Sequence, residues 1–196
     1  MKRALIGSGG HADEVESQIG LKFHRFVSDE YFNGDKNTSP ISKFDVEEYE
    51  VMIAIGDSIQ RYNVMNQMPV GTKYFSFIHH TALILGDNVQ IGEGSFIGAY
   101  SLLTTNIELG KHCLLNRTVQ IGHDCKIGDF FSAMPNTVIS GNVIIGNYCY
   151  FGNNSSVKEK ILIGDSVKVG MGASVVKNIN EPGVYAGAPV KKLIKK

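Results

Sequence analysis

LILGDN VQIGEG SFIGAY SLLTTN IELGKH CLLNRT VQIGHD CKIGDF FSAMPN TVISGN VIIGNY CYFGNN SSVKEK ILIGDS VKVGMG ASVVKN, residues 83–178, divides without insertion into sixteen six-residue units. The third place of every unit, from Leu85 to Val175, is apolar, and the fourth is glycine in ten of the sixteen. An α-helix repeats every 3.6 residues and an antiparallel sheet every two, so neither sustains a sixfold register. A left-handed parallel β-helix does. Three units make one triangular coil, residues eighteen apart stack, the third places form inward ladders, and glycine marks a corner too sharp, or at too positive a φ, for a side chain.

Residues 1–78 obey another rule. Lys2 to Gly7 reads as a buried strand, Ala12 to Ile19 as a helix and Phe23 to Val27 as a strand; Tyr49 to Ile55, Ser58 to Met65 and Lys73 to Phe77 repeat the strand, helix, strand order. Asn33 to Pro40 reads as a surface loop. The expected organisation is therefore a small Rossmann-like α/β domain over 1–78, followed by a β-helix domain with a C-terminal tail over 79–196.

Nineteen basic residues balance nineteen acidic ones, so no global field draws the chain to nucleic acid or to a membrane surface. No apolar run approaches the roughly 20 residues of a spanning helix, and the apolar start is too short for a signal segment. Cys113, Cys125 and Cys149 are odd in number and each opens a repeat unit, which points to packed, reduced thiols in a cytoplasmic protein.

Two places carry chemistry. Gly7-Ser8-Gly9-Gly10-His11-Ala12 follows a strand and opens a helix, a pattern for phosphate binding on backbone N–H groups, or else a tight structural turn. Asp29 and Glu30, about twenty residues on, stand where an acid meets a ribose. The small domain favours a mononucleotide or nucleotide sugar over a dinucleotide, and His11 is placed to bond it. In the repeat, His123 follows a corner glycine and precedes a carboxylate, Asp124, that would orient its imidazole. Gly141, eighteen residues on, should stack beside it and offer a backbone N–H to an oxyanion. An exposed corner histidine is the bland alternative. His112, beside Lys111, reads as a surface residue, and His79-His80 as structural. The histidines offer no tight pair backed by a third, against a zinc site.

Taken in order, the Gly-Gly-His turn, Ile53-Ala54-Ile55-Gly56-Asp57, Ile78-His79-His80-Thr81-Ala82, the repeat with His123-Asp124-Cys125, and Tyr185-Ala186-Gly187-Ala188-Pro189 resemble the bacterial sugar acetyltransferases that include the bacillosamine and perosamine N-acetyltransferases and the sialic-acid O-acetyltransferase. The resemblance spans the chain. It implies a cytoplasmic homotrimer, without metal, that acetylates a nucleotide-linked 4-amino-4,6-dideoxy sugar, UDP- or dTDP-linked, for surface glycans. Acetyl-CoA would lie between neighbouring copies. By position, Gly9, Gly10, His11, Asp29, Glu30 and Gly56 would bind the nucleotide sugar; His123 would be the base, Asp124 its partner, and Asn116 would lie near the reacting group. Ser132, Gly141, Asn153, Gly170, Met171 and Gly172 would bind acetyl-CoA. Ser132 stands where some relatives have a second histidine, and Met171 where some have glycine. Sialic-acid O-acetylation, with the same base serving a hydroxyl, and a non-enzymatic trimeric scaffold are the rival readings.

Overall fold

A computed structural model describes residues 1–194. The chain opens with strand β1 (Lys2–Ile6), helix α1 (Gly10–Ile19), strands β2 (His24–Val27), β3 (Thr38–Pro40) and β4 (Tyr49–Ile53), helix α2 (Ser58–Met65) and strand β5 (Lys73–Tyr74). The five strands form one parallel sheet in the order β3-β2-β1-β4-β5. The period-two alternation of β1 sends Ala4 and Ile6 to one side, with Phe26, Ile41, Phe44, Val51 and Ile53, and Leu5 to the other, with Ala12, Val15, Met52 and Phe75. Thr38–Pro40, expected as loop, is an edge strand. It pairs only with β2, and Pro40 at its end has no ladder N–H to lose.

From Phe77 onward the chain winds through three sheets of parallel rungs, here called faces, the third ending in an antiparallel pairing of Tyr185–Ala186 with Lys191–Lys192. Face one runs from Leu83–Ile84 to Ser174–Val175, face two from Val89–Ile91 to Leu162–Ile163, and face three from Phe77–Ile78 to Gly183–Ala186. The expected eighteen-residue stacking is present: Leu103 pairs with Ile121, Ile127 with Ile145 and Leu115 with Ala133. The inward ladders and the three free cysteines fill one continuous core. Burial pushes the thiols of Cys113 and Cys149 up to about 12, which makes them packing residues rather than nucleophiles.

Three details differ from the sequence reading. The first coil is one residue longer, since Leu83 pairs with Leu102 and Ile84 with Leu103, nineteen apart. Leu85 is therefore not inward but 63% exposed. The run Leu83-Ile84-Leu85 fits either register, and an end coil stacks on one side only, so the slip costs little. Secondly, the corners take their left-handed φ at the sixth place, in twelve successive units from Tyr100 to Ser166, with φ between 52° and 62°. The fourth-place glycine answers a close approach instead: a Cβ on Gly122 would lie 2.6 Å from the Gly141 nitrogen of the next coil. Thirdly, the segment read as Lys73 to Phe77 splits, β5 ending the first sheet and Phe77–Ile78 pairing with Phe96–Ile97 as the first rung of face three.

The sheet domain covers face three, where Phe96, Leu114 and Ser132 point outward yet are buried. Arg61 of α2 crosses this junction fully buried. Its guanidinium donates to the carbonyls of Ile55 (2.6 Å), His112 (2.9 Å) and Phe130 (3.0 Å) and to Ser132 Oγ (2.9 Å). Burial lowers its pKa to about 10, which leaves the cation intact at neutral pH.

Candidate active site

Residues 122–124 form a corner between faces one and two. The corner turn throws the His123 side chain outward, 57% exposed, and its Nδ1 lies 2.7 Å from Asp124 Oδ2. An ionised carboxylate only accepts, so Nδ1 carries the hydrogen and Nε2 of the neutral ring is the acceptor. The Asp124 carboxyl is held below the usual carboxylate range, first by His123 and then by Asn106. The ring lies on Gly141, where a Cβ would come within 2.5 Å of Nε2. The space expected beside the base is thus taken by the base itself. At the neighbouring corner, between faces two and three, each fifth-place N–H is capped from the next coil: Lys111 N donates to Asp129, Asp129 N to Asn147 and Asn147 N to Asp165. The Gly141 N–H donates to nothing among the described residues, so a donor remains next to Nε2.

The second candidate lies in the sheet domain. A cavity of about 470 Å³ is lined by the first turn (Gly7, Ser8, Gly9, His11), by Ser28, Glu30 and Tyr31 after β2, by Ala54 to Gly56 after β4, and by Gln60, Asn63 and Gln67. The two strand-to-helix turns behave differently. At α2 the Asp57 carboxylate caps the helix, accepting from Ile59 N and Gln60 N. At α1 the cap residue is Gly9, and the N–H groups of Ser8, Gly9, Gly10 and His11 donate to nothing among the described residues. That turn is the one open to an anion. The fold needs Gly7, which has φ +114° and a would-be Cβ 3.1 Å from Ala54 O, but around Gly9, Gly10 and Gly56 a Cβ would meet nothing within 4 Å. Gly9 and Gly56 line the cavity, so their missing side chains widen it, whereas Gly10 does not line it. No lysine or arginine lines the cavity, so the donors it offers an anion are the backbone N–H groups of the turn and neutral side chains such as Ser8, Gln60 and Asn63.

Other predicted residues fall elsewhere. His11 lines the cavity and is half-buried; its pKa is lowered by burial, opposed by Glu14 at 3.4 Å. Asp29 lies outside this cavity, and its carboxylate accepts from Ser42 N at 3.1 Å. Asn116 is on the corner between faces three and one, buried, donating to Glu14 Oε2 at 3.1 Å. Asn153, Gly170, Met171 and Gly172 share that corner column. His123 and Gly141 are one face away from it, roughly 20 Å at the strand rise per residue. Ser132 is not available to a cofactor: it is fully buried in the junction, bonded to Gly56 O (2.8 Å), Ser58 and Arg61. His112 is not a surface residue either. It packs against Tyr74 (4.5 Å) and Phe130 (5.0 Å), 4% exposed, and burial followed by the Arg61 charge lowers its pKa to about 4. The sequence reading missed Arg61, and also Gln60, Asn63 and Gln67, three amides in and just after α2; their helical spacing was the available signal.

The His123 corner is the one corner that does not border face three. The cavity domain, seated on face three, is accordingly on the opposite side of the coil from its own His123.

Known proteins agree with this architecture. Residues 88–116 and 142–177 match the model described as "Hexapeptide repeat of succinyl-transferase". A UDP-3-O-acylglucosamine N-acyltransferase of Janthinobacterium sp. (strain Marseille) is 35% identical over 117 residues, 60% of this chain and 33% of the relative. The chain spans about a third of the length of the curated relatives it matches first. The solved structure of WeeI from Acinetobacter baumannii AYE superposes with a TM-score of 0.85 at 28% identity, covering 98% of this chain and all of that one. A perosamine N-acetyltransferase variant from Caulobacter crescentus, solved with CoA and GDP-perosamine, superposes with a TM-score of 0.87 at 21% identity over 100% and 98% of the two chains, a likeness of fold. The repeat region is thus similar to the hexapeptide-repeat acyltransferases, and the whole chain shares the fold of WeeI.

Proposed function

We propose that this protein is an acetyl-CoA-dependent N-acetyltransferase acting on the 4-amino group of a nucleotide-linked 4-amino-4,6-dideoxy sugar, with His123 as general base. The observation that carries the reading is the exposed His123–Asp124 pair, with Nε2 as acceptor and the unengaged Gly141 N–H beside it. Acyl transfer requires these two functions at one point. The amine attacks the thioester carbonyl, its proton passes to His123 Nε2, the Gly141 N–H receives the developing oxyanion, and the C–S bond breaks to release CoA thiolate.

The nucleotide sugar is assigned to the 470 Å³ cavity, its pyrophosphate on the Ser8 to His11 N–H groups and Glu30 toward the ribose. The sheet order β3-β2-β1-β4-β5 is the doubly wound order without a sixth strand, in which nucleotides bind in the crevice at the carboxyl ends of the strands where the order reverses, between β1 and β4. The cavity and His123 sit on opposite sides of one coil. We therefore assign a homotrimer of left-handed β-helices in which the cavity of one copy faces the His123 corner of the next, with acetyl-CoA between that corner and a second column holding Asn153 and Gly170 to Gly172. Transfer to a nucleotide-sugar amine is the activity named for the Janthinobacterium and Caulobacter proteins.

The test is CoA-thiol release from acetyl-CoA with UDP-, dTDP- and GDP-linked 4-amino sugars against CMP-sialate and free sialate. Turnover is expected on one of the amino sugars. Turnover on sialate alone replaces the amine by a hydroxyl acceptor; none on any acceptor refutes the reading.

A further inference from the structure

The His123 corner carries a polar column in the sixth place of successive coils. Asn106 Nδ2 donates to Asp124 Oδ1 at 3.0 Å, and Asn88 Nδ2 donates to Asn106 Oδ1 at 3.3 Å. His123 Nδ1 reaches the other carboxylate oxygen, Oδ2, at 2.7 Å. Asp124 is thus gripped on both oxygens, by the ring it orients and by an amide whose own oxygen is tied to Asn88.

The left-handed backbone favours asparagine here without requiring it. Asn106 has φ 54° and Asp124 φ 59°, a conformation that asparagine tolerates well; Asn136, Asn142 and Asn154 recur in the sixth place, but Tyr100, Thr118, Phe130 and Lys160 hold it at equally positive φ. Nor does burial explain them, since the side chains are exposed and Asn106 packs no core. What distinguishes Asn106 is its bond to the carboxylate that orients the candidate base. An exposed aspartate with one partner is free to rotate about χ1 and χ2. With Asn106 on Oδ1, rotation breaks a second hydrogen bond, and the carboxylate plane stays directed at Nδ1.

We propose that Asn106 is a positioning residue for the His123–Asp124 pair, with Asn88 orienting its amide, so that the imidazole is kept in the Nδ1–H tautomer with Nε2 as acceptor. The catalytic meaning of this rests on the reading of His123 as the base, but the tautomer is measurable without any reaction.

The experiment is nitrogen NMR of ¹⁵N-histidine-labelled full-length protein above the histidine titration range, with the His123 signals identified by their loss in His123→Gln. Wild-type protein is expected to show mainly Nδ1–H. Asn106→Gly, which keeps the left-handed backbone without the amide, and Asn106→Asp, which keeps the shape but removes the donor, should both move the population toward Nε2–H; Asn88→Ala should do so to a smaller extent. Unchanged populations in folded Asn106→Gly and Asn106→Asp, or a wild-type ring already in the Nε2–H form, overturn the proposal. A lost Nδ1–H tautomer with unaltered turnover upholds the positioning role and overturns His123 as base, so the two readings fail separately.

Discussion

Gly141→Ala is the most informative single-methyl change. The added Cβ would stand 2.5 Å from His123 Nε2, 2.7 Å from Cε1 and 2.9 Å from Cδ2. Non-bonded heavy atoms settle at about 3.5 Å or more, so the ring must move by about 1 Å. It has the freedom to do so, being 57% exposed, but it is tethered to Asp124 at 2.7 Å, and the movement loosens that bond or tilts Nε2 away from the Gly141 N–H. Displacing a catalytic group by about 1 Å costs on the order of 100-fold in rate. Stability should not fall. The Gly141 φ lies outside the left-handed range, and replacing glycine by alanine at a compatible site stabilises by about 0.4–1 kcal/mol through the unfolded chain. The expected result by steady-state thiol release and thermal unfolding is kcat down about 100-fold, with KM for acetyl-CoA little changed and Tm unchanged or slightly raised. A kcat within threefold of wild type, with the ring displaced in a crystal structure of the variant, refutes the claim that its placement on Gly141 matters.

Gly9→Leu should leave Tm unaltered, because a side chain there enters open space, while raising KM for the nucleotide sugar at least tenfold; a lower Tm with an unchanged KM would make this turn structural. Mixing Gly9→Leu with His123→Ala by unfolding and reassembly should restore activity to about one quarter of sites, the statistical share in which an intact cavity faces an intact histidine of the next copy in a ring; no recovery would place cavity and histidine in the same copy. His112 makes stability depend on acid. Its folded pKa of about 4 lies below the ordinary 6.5, so the unfolded chain takes up the proton first. Stability is complete above about pH 7 and falls as the pH drops from 6.5 toward 4, by about 2 kcal/mol at pH 5. Urea unfolding at pH 7.5 and 5 should show this loss in wild type and a smaller one in His112→Phe; equal losses would mean that His112 is protonated when folded.

The repeat was legible because sixfold periodicity is a backbone property that every coil restates, and only its ends went astray. At Leu85 two registers fit the same apolar run, and the terminal coil lacks the second neighbour that would choose between them. His123 and Gly141 were legible for the same reason, since the eighteen-residue coil converts sequence distance into adjacency. The period is silent about what covers a face. Ser132 occupies a second place that points outward, and only the sheet domain above it decides that this outward residue is buried. Arg61 and His112 are hidden by the same junction: each is a charged or titratable side chain in an unremarkable local pattern, and the contacts that define them, Arg61 to His112 O and His112 to Phe130, cross between the two parts of the chain. The family resemblance put Asn116 near the reacting group; within the chain it stands a face away from His123 and donates to Glu14, a contact across the junction that the repeat period does not encode.

The central claim is that His123 takes the proton from the attacking amine. It is tested most directly by the turnover of His123→Ala with saturating acetyl-CoA and the amino-sugar nucleotide, alongside the affinity of the variant for CoA. General-base loss predicts kcat reduced by about 100-fold or more with CoA binding preserved; a near-normal kcat in the folded variant would contradict it.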